Sequence, residues 1–209
     1  MLLRPGTVAP LDSWHERPFS PGSTSGPDRF SHQDCYEREV GAEPPGEPVP
    51  DGPYSRCAGA ILRYDIFPPD VVRGVLGREP VKPGDVVGIR FLGFRWIHLF
   101  FAARVLNVFG GLARNDEGAS RPLHRTEEVR PECGYTTGFT YRTLAGHPEL
   151  GEETFAVEKR DDGRVWVTLR SWSRPGLWLT RLGWPIARWW QRRASHRALD
   201  WLEGMARSG

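Results

Sequence analysis

The chain has 209 residues, 39% of them hydrophobic, enough for one domain with a sizeable core. Its 24 glycines and 19 prolines exceed the average usage of roughly 7% and 5%, which excludes a long all-helical bundle and gives loops a large share. Basic and acidic residues nearly cancel at 28 against 26, so no whole-chain field favours nucleic acid and no nucleic-acid partner is expected. Three widely spaced cysteines, Cys35, Cys57 and Cys133, fit neither a disulfide framework nor a zinc spacing. A reducing, cytoplasmic setting is therefore expected. The opening residues lack the apolar core of a signal peptide, and the most apolar stretch, 91–111, is interrupted by Arg95, His98 and Arg104. No membrane span is expected.

Residues 1–53 hold 10 of the 19 prolines, only 14 hydrophobic residues, and nine acidic against four basic groups. This composition reads as a Pro/Gly-rich flexible or docking extension. Within it, residues 30–40 are expected to dock as a short element, and residues 1–28 to bury little. Residues 54–209 form the folded domain, and their pattern is mostly strand. The apolar run 58–67 ends at Pro68-Pro69, after which Asp70 is placed to cap a short helix over 71–76, stopped by Gly77. Strands follow over 86–91, 97–109 and 135–144, with a weaker one over 125–129.

Residues 154–159 and 164–173 flank Asp161-Asp162-Gly163, which suits a three-residue hairpin loop with the glycine left-handed. That register sets Phe155 and Val157 on the face of Val165, Val167, Leu169, Ser171 and Ser173. Beyond Arg174-Pro175 a long helix is expected over 177–205, kinked or divided at Pro185. Its buried stripe is read as Ile186, Trp190, Ala194, Ala198, Trp201 and Met205. The element order predicts an α+β fold: a curved antiparallel sheet of about six or seven strands wrapped on a long C-terminal helix.

The stretch Gly138-Phe139-Thr140-Tyr141-Arg142-Thr143-Leu144-Ala145-Gly146-His147-Pro148-Glu149, with Asp162-Gly163-Arg164-Val165-Trp166 and Ser173-Arg174-Pro175 after it, closely resembles the family of uncharacterised bacterial and plant proteins called DUF1990 or UPF0548. The resemblance extends over residues 54–205 and is strongest from Gly138 onward. It implies a helix-grip fold like that of the START and Bet v 1 (SRPBCC) superfamily, in which a curved sheet and a long C-terminal helix enclose an apolar cavity. That superfamily mixes carriers, receptors and cyclases, so the fold does not decide the activity.

With that fold, Phe139, Tyr141, Phe155, Val157, Val167, Leu169 and Ser171 would line a ligand cavity, opposed by Trp178 and Trp189. The alternative is a filled sheet–helix core. The concentrated acid–base groups are His147 with Glu149, Glu152 and Glu153, beside Tyr141 as an orienting donor. His147, Glu152, Glu153 and Tyr141 are thus candidate catalytic residues, against the preferred reading of Gly146-His147-Pro148-Glu149 as a turn in which the imidazole caps backbone groups. No HExxH or CxxC spacing, nucleophile elbow or phosphate-binding glycine loop occurs, so no metal or cofactor is expected. Arg188, Arg192, Arg193 and Arg197 with the nearby tryptophans offer a membrane-surface contact, against the ordinary reading of a solvated helix face.

The leading expectation is binding of a hydrophobic small molecule of the lipid, terpenoid or polyketide class. A cofactor-independent cyclase or isomerase using the same cavity is the alternative. A membrane or protein-interaction module is the third reading.

Overall fold

A computed structural model describes residues 1–3, 11–23, 27, 31–70, 72–91, 98–112, 133–175 and 184–208. In chain order the elements are β1 (Leu2–Leu3), a 3-10 turn (Asp12–Trp14), β2 (His32–Ala42), α1 (Pro53–Leu62), β3 (Val72–Leu76), β4 (Val86–Phe91), β5 (His98–Leu112), β6 (Cys133–Thr143), β7 (Glu149–Arg160), β8 (Arg164–Pro175) and α2 (Trp184–Arg207). The strands make one sheet in the order β2-β8-β7-β6-β5-β4-β3, with β1 added on β5. All described pairings are antiparallel. Register shifts between Glu39 and Gly41 in β2 and between Val105 and Asn107 in β5 bend the sheet, since an extra residue on one strand increases local twist. The class is α+β, a sheet curved around its helices, as the element order implied.

The β7–β8 hairpin has the three-residue loop and register expected of it. Phe155 faces Leu169, Val157 faces Val167, and Gly163 has φ +86. The expected strand over 125–129 lies outside the described residues, as does the stretch 176–183 that opened the expected C-terminal helix. The described helix runs over Trp184–Arg207, so the expected kink or division at Pro185 falls at the edge of the described residues.

Two local expectations are corrected. The run 58–67 is not a strand: residues 53–62 form α1, started by extended Gly52 and by Pro53 at the first position. Its apolar residues Tyr54, Cys57 and Ile61 follow helical spacing and are buried. The Glu43 carboxylate accepts the N–H of Tyr54 at 2.8 Å, which satisfies one of the unpaired donors of the first turn. The segment 71–76 is not a helix either, because residues 72–76 pair along β4 from Val72 against Phe91 to Leu76 against Val87. Asp70 caps nothing there; its carboxylate takes Arg197 of α2 at 2.7 Å.

α1 ends in a Schellman motif: the N–H of Asp65 bonds to the carbonyl of Ala60 and that of Tyr64 to the carbonyl of Ile61, each at 2.9 Å. Glycine usually occupies the left-handed position of this motif, but here it is Tyr64, with φ +59. A non-glycine residue in that conformation costs roughly 1–3 kcal/mol. Gly74 on β3 makes the matching room, since a Cβ there would stand 2.5 Å from the Tyr64 carbonyl and 2.9 Å from its ring.

The N-terminal segment contributes more than its composition implied. β2 is a full edge strand, paired with β8 from His32 against Ser173 to Ala42 against Arg164. Leu3, Leu11 and Trp14 are buried on the convex face with Val86, Phe100, Ala102 and Leu144, so residues 1–28 are not the unburied segment expected. Long-range pairing, invisible to local composition, decides both outcomes.

The main core lies on the concave face under α1 and α2. α2 crosses β2 and α1, burying Ser195, Ala198, Leu199, Leu202 and Ala206 while Trp201 and Met205 stay half-buried. Of the expected stripe, Ile186 and Trp190 lie outside the described side chains, Ala198 is buried, and Ala194, Trp201 and Met205 are half-buried, so among the described residues the buried line is rotated from it. Arg38 of β2 fixes the helix from the sheet side, donating to both Asp200 and Glu203.

Candidate functional site

Strand alternation sorts β7 into two faces. Glu149, Glu153, Phe155, Val157 and Lys159 face the helices, while Glu152, Ala156 and Glu158 face away. Along this concave face the character changes in three steps. At one end Lys159 forms a buried ion pair with Glu43 at 3.1 Å and donates to the Glu47 carbonyl at 2.8 Å, next to the start of α1. The middle is apolar: Phe139, Phe155, Val157, Val167 and Leu169 have essentially no accessible surface and pack against Tyr54, Cys57 and Ile61 of α1 and Leu199 and Leu202 of α2. Burying a side chain of this kind stabilises by about 1.5–3 kcal/mol. These five expected cavity residues are therefore core residues in this structure.

Beyond them the face turns polar and partly accessible. Glu153 stands opposite Tyr141 on β6 and Ser171 on β8, and Ser171 stands opposite Asp34 on β2. Tyr141 donates its hydroxyl proton to Glu153 Oε2 at 2.5 Å. Tyr64, at the end of α1, has its hydroxyl on the same side, within electrostatic reach of Glu153 and beside Tyr141. Its ring packs edge-on against Phe139, Phe155 and Phe67 at centroid distances of 5.8, 6.4 and 6.2 Å. Glu149 takes a hydrogen bond from Gln191 of α2 at 3.2 Å.

Burial pushes the Glu153 carboxyl up to about 7, opposed by the Tyr141 hydrogen bond and reinforced by the negative charges of Glu149 and Asp34. Yet Glu153 and Ser171 keep accessible surface where Phe155 and Leu169 keep almost none. Burial also raises both tyrosine hydroxyls well above their ordinary value, with the Glu153 charge adding to the effect, so both remain proton donors.

The structure brings together Tyr141 and Glu153 and separates the other two candidate catalytic residues. Glu152 is corrected to the convex face: one residue along a strand reverses the side-chain direction, and there its carboxylate is held by Arg142, whose Nε lies 2.6 Å away. His147 sits in the turn, where Nδ1 is 2.9 Å from the Glu149 carbonyl and 3.1 Å from the Glu149 N–H that donates to it. Burial lowers its pKa to about 4, so the ring is neutral near pH 7. Its ring stands 5.4 Å from that of Phe101.

Trp189, expected to oppose the sheet, is 55% exposed and carries the Arg193 guanidinium over its ring; the helix turns that position outward. Trp178 and the side chain of Arg188 lie outside the described residues, Arg192 and Arg193 are exposed, and Arg197 is paired with Asp70.

Glu149, named in the acid–base cluster of the sequence, completes the site with Tyr64, Asp34 and Gln191, for which the sequence offered no site role. Among the described residues no three His, Cys, Asp or Glu side chains converge as metal ligands. No described helix is long and apolar enough to cross a membrane.

Architecture and site together define a helix-grip protein: a curved sheet holding a C-terminal helix, with an acidic and phenolic cluster at one end of its concave face. The family model described as a domain of unknown function (DUF1990) matches residues 20–200, and the chain belongs to that family. A UPF0548 protein of Dictyostelium discoideum is 28% identical over 149 residues, 67% of this chain and 60% of that protein. Shorter matches to UPF0548 proteins of Deinococcus radiodurans (41% identical, 28% of this chain and 29% of that protein) and Arabidopsis thaliana (40% identical, 26% and 25%) accompany it. The matches thus span less than two thirds of these relatives' lengths. Among solved structures, the chain is similar to Ara h 8.0201 (12% identity, 86% of this chain and 99% of that one, TM-score 0.46) and to the hypothetical protein jhp0584 of Helicobacter pylori (11% identity, 96% of each, TM-score 0.46).

Proposed function

We propose that this protein binds a small, largely apolar molecule in the recess between the polar end of the concave face and the start of α2. The observation that carries this reading is the change along one continuous face: side chains without accessible surface give way to Glu153 and Ser171, which keep theirs beside a buried tyrosine pair. Packed interiors leave few voids, and polar groups are seldom placed on an otherwise apolar wall without a partner to meet. The half-buried Ile89, Phe91 and Phe101 continue the apolar wall on β4 and β5. A lipid, terpenoid or polyketide body fits such a surface.

Binding of the apolar dye diphenylhexatriene, followed by its fluorescence, tests the reading. The wild-type protein should bind the dye saturably, and Ser171→Trp, which fills the recess wall between Asp34 and Glu153, should weaken binding by about tenfold or more, equivalent to roughly 1.4 kcal/mol. Equal binding by both proteins would refute the location, and no saturable binding would refute the function.

A second reading, proton-transfer chemistry on the bound molecule, draws on Glu153 alone. A carboxyl pushed up to about 7 and hydrogen-bonded to Tyr141 can take or give a proton near neutral pH. His147 and Glu152 lend this reading nothing in their observed positions.

A further inference from the structure

Exposed apolar side chains are not scattered over this molecule. Among the described residues the large exposed ones are Met1, Leu2, Val49, Leu99 and Trp189, and all but Val49 gather at one end. Leu2 stands directly opposite Leu99, and Leu99 directly opposite Phe91, so the three side chains form a row across β1, β5 and β4 on the concave side. Exposure grows along it, from half-buried Phe91 to 39% at Leu99 and 66% at Leu2. Trp189 belongs to the same end, because Gln191, two residues further along α2, reaches Glu149 at the start of β7. The His147 ring, held on the Glu149 backbone, stands in turn beside Phe101, two residues from Leu99. Single apolar residues are ordinary on a surface, whereas a group confined to one end marks a contact.

The polar side chains of that end select the partner. Arg192 and Arg193 follow Trp189 on α2 and are exposed, and the Arg193 guanidinium lies 5.6 Å from the centre of the Trp189 ring. Arg197 is set apart from them by its ion pair with Asp70. On the sheet side Arg73, exposed on β3, stands directly opposite Arg90, the neighbour of Phe91, so basic groups flank the apolar row as well. Tryptophan is favoured where a membrane meets water, and a guanidinium binds phosphate through two parallel hydrogen bonds. An anionic bilayer meets both demands at once: the apolar tips enter the boundary between headgroups and acyl chains, and the arginines meet lipid phosphates.

We propose that this end of the protein rests on an anionic lipid surface, with Leu2, Leu99 and Trp189 entering the interface and Arg192 and Arg193 binding headgroup phosphates. The proposal is independent of the ligand site, since it uses only the outer surface.

Co-sedimentation of the full chain with lipid vesicles tests it. Mixed vesicles of phosphatidylcholine and phosphatidylglycerol should carry the protein down, and vesicles of phosphatidylcholine alone should bind it about tenfold more weakly. Raised salt should narrow that difference, because it screens the arginines and leaves the apolar contact. Arg192→Gln combined with Arg193→Gln should weaken binding to the mixed vesicles by about tenfold or more, and Leu2→Ser by about fivefold or more. Val49→Ser, which alters the exposed apolar residue at the opposite end beside Glu43, should change nothing. No sedimentation with either vesicle, equal binding to both, or a loss in Val49→Ser equal to that in Leu2→Ser overturns the proposal. So does a dimer that Leu2→Ser dissociates in the absence of vesicle binding, which would assign the face to a second copy of the chain. The comparison of the two vesicles with wild-type protein decides the matter even if a variant fails to fold.

Discussion

Glu153→Gln isolates the electrostatics of the recess. Glutamine keeps an oxygen to accept the Tyr141 hydroxyl proton and mimics the neutral carboxyl. Burial raises the Glu153 pKa from 4.5 to about 7, so between those values the folded chain holds a proton that the unfolded chain has lost. Stability of the wild-type protein therefore falls as pH rises from about 4.5 to about 7 through this group, and the loss is complete above that range. At about 1.4 kcal/mol per tenfold change in proton affinity the displacement corresponds to roughly 3 kcal/mol, which the partial access of water reduces to about 2 kcal/mol. His147 acts in the opposite sense over nearly the same range: its pKa is lowered to about 4, and it withdraws stability as pH falls. The difference between variant and wild type cancels that contribution. Urea unfolding followed by tryptophan fluorescence should show Glu153→Gln equal to wild type near pH 4.5 and about 2 kcal/mol more stable above pH 7. Parallel pH profiles for the two proteins would refute the placement of Glu153 in an enclosed site.

Three further outcomes follow from the packing. Trp14→Ala should destabilise by about 3–5 kcal/mol in the same urea assay, because the ring is fully buried against Phe100 on the convex face; a change below about 1 kcal/mol would show that the N-terminal segment does not pack there. Lys159→Met should cost about 3–5 kcal/mol by stranding the buried Glu43 carboxylate, whereas a neutral result would mean that water reaches the pair. His147→Ala should lower stability by about 1 kcal/mol through the lost contact with the Glu149 backbone and leave dye binding intact; lost binding in a stable variant would give the imidazole a place in the recess.

The β7–β8 hairpin was legible in the sequence because loop and alternation agree. Asp161-Asp162-Gly163 supplies the turn, and only one register puts Phe155 and Val157 beside Val165, Val167 and Leu169. The end of α1 is obscured because its apolar residues and those of the following segment read as one largely apolar stretch, whose helical spacing shows only when counting starts at Pro53. β3 was misread since Asp70 and Gly77 mimic a cap and a stop, while the pairing with β4 that decides the matter is not local. Of the site, Tyr141 and Glu153 could be reached from β6 and β7. Glu152 was carried with its neighbour because a cluster in sequence says nothing about which side of a strand each member faces. Tyr64 was hidden by the misread helix: without an end to α1 there is no left-handed position for an unusual tyrosine to occupy.

Chemical-shift mapping of the complex with diphenylhexatriene tests the central claim most directly, since it reports both binding and place. The largest changes should fall on Asp34, Glu153 and Ser171 and on the rings of Tyr64 and Tyr141, with the convex-face residues Trp14 and Phe100 unmoved. Saturable changes centred on the convex face, or no saturable change at all, would contradict the account.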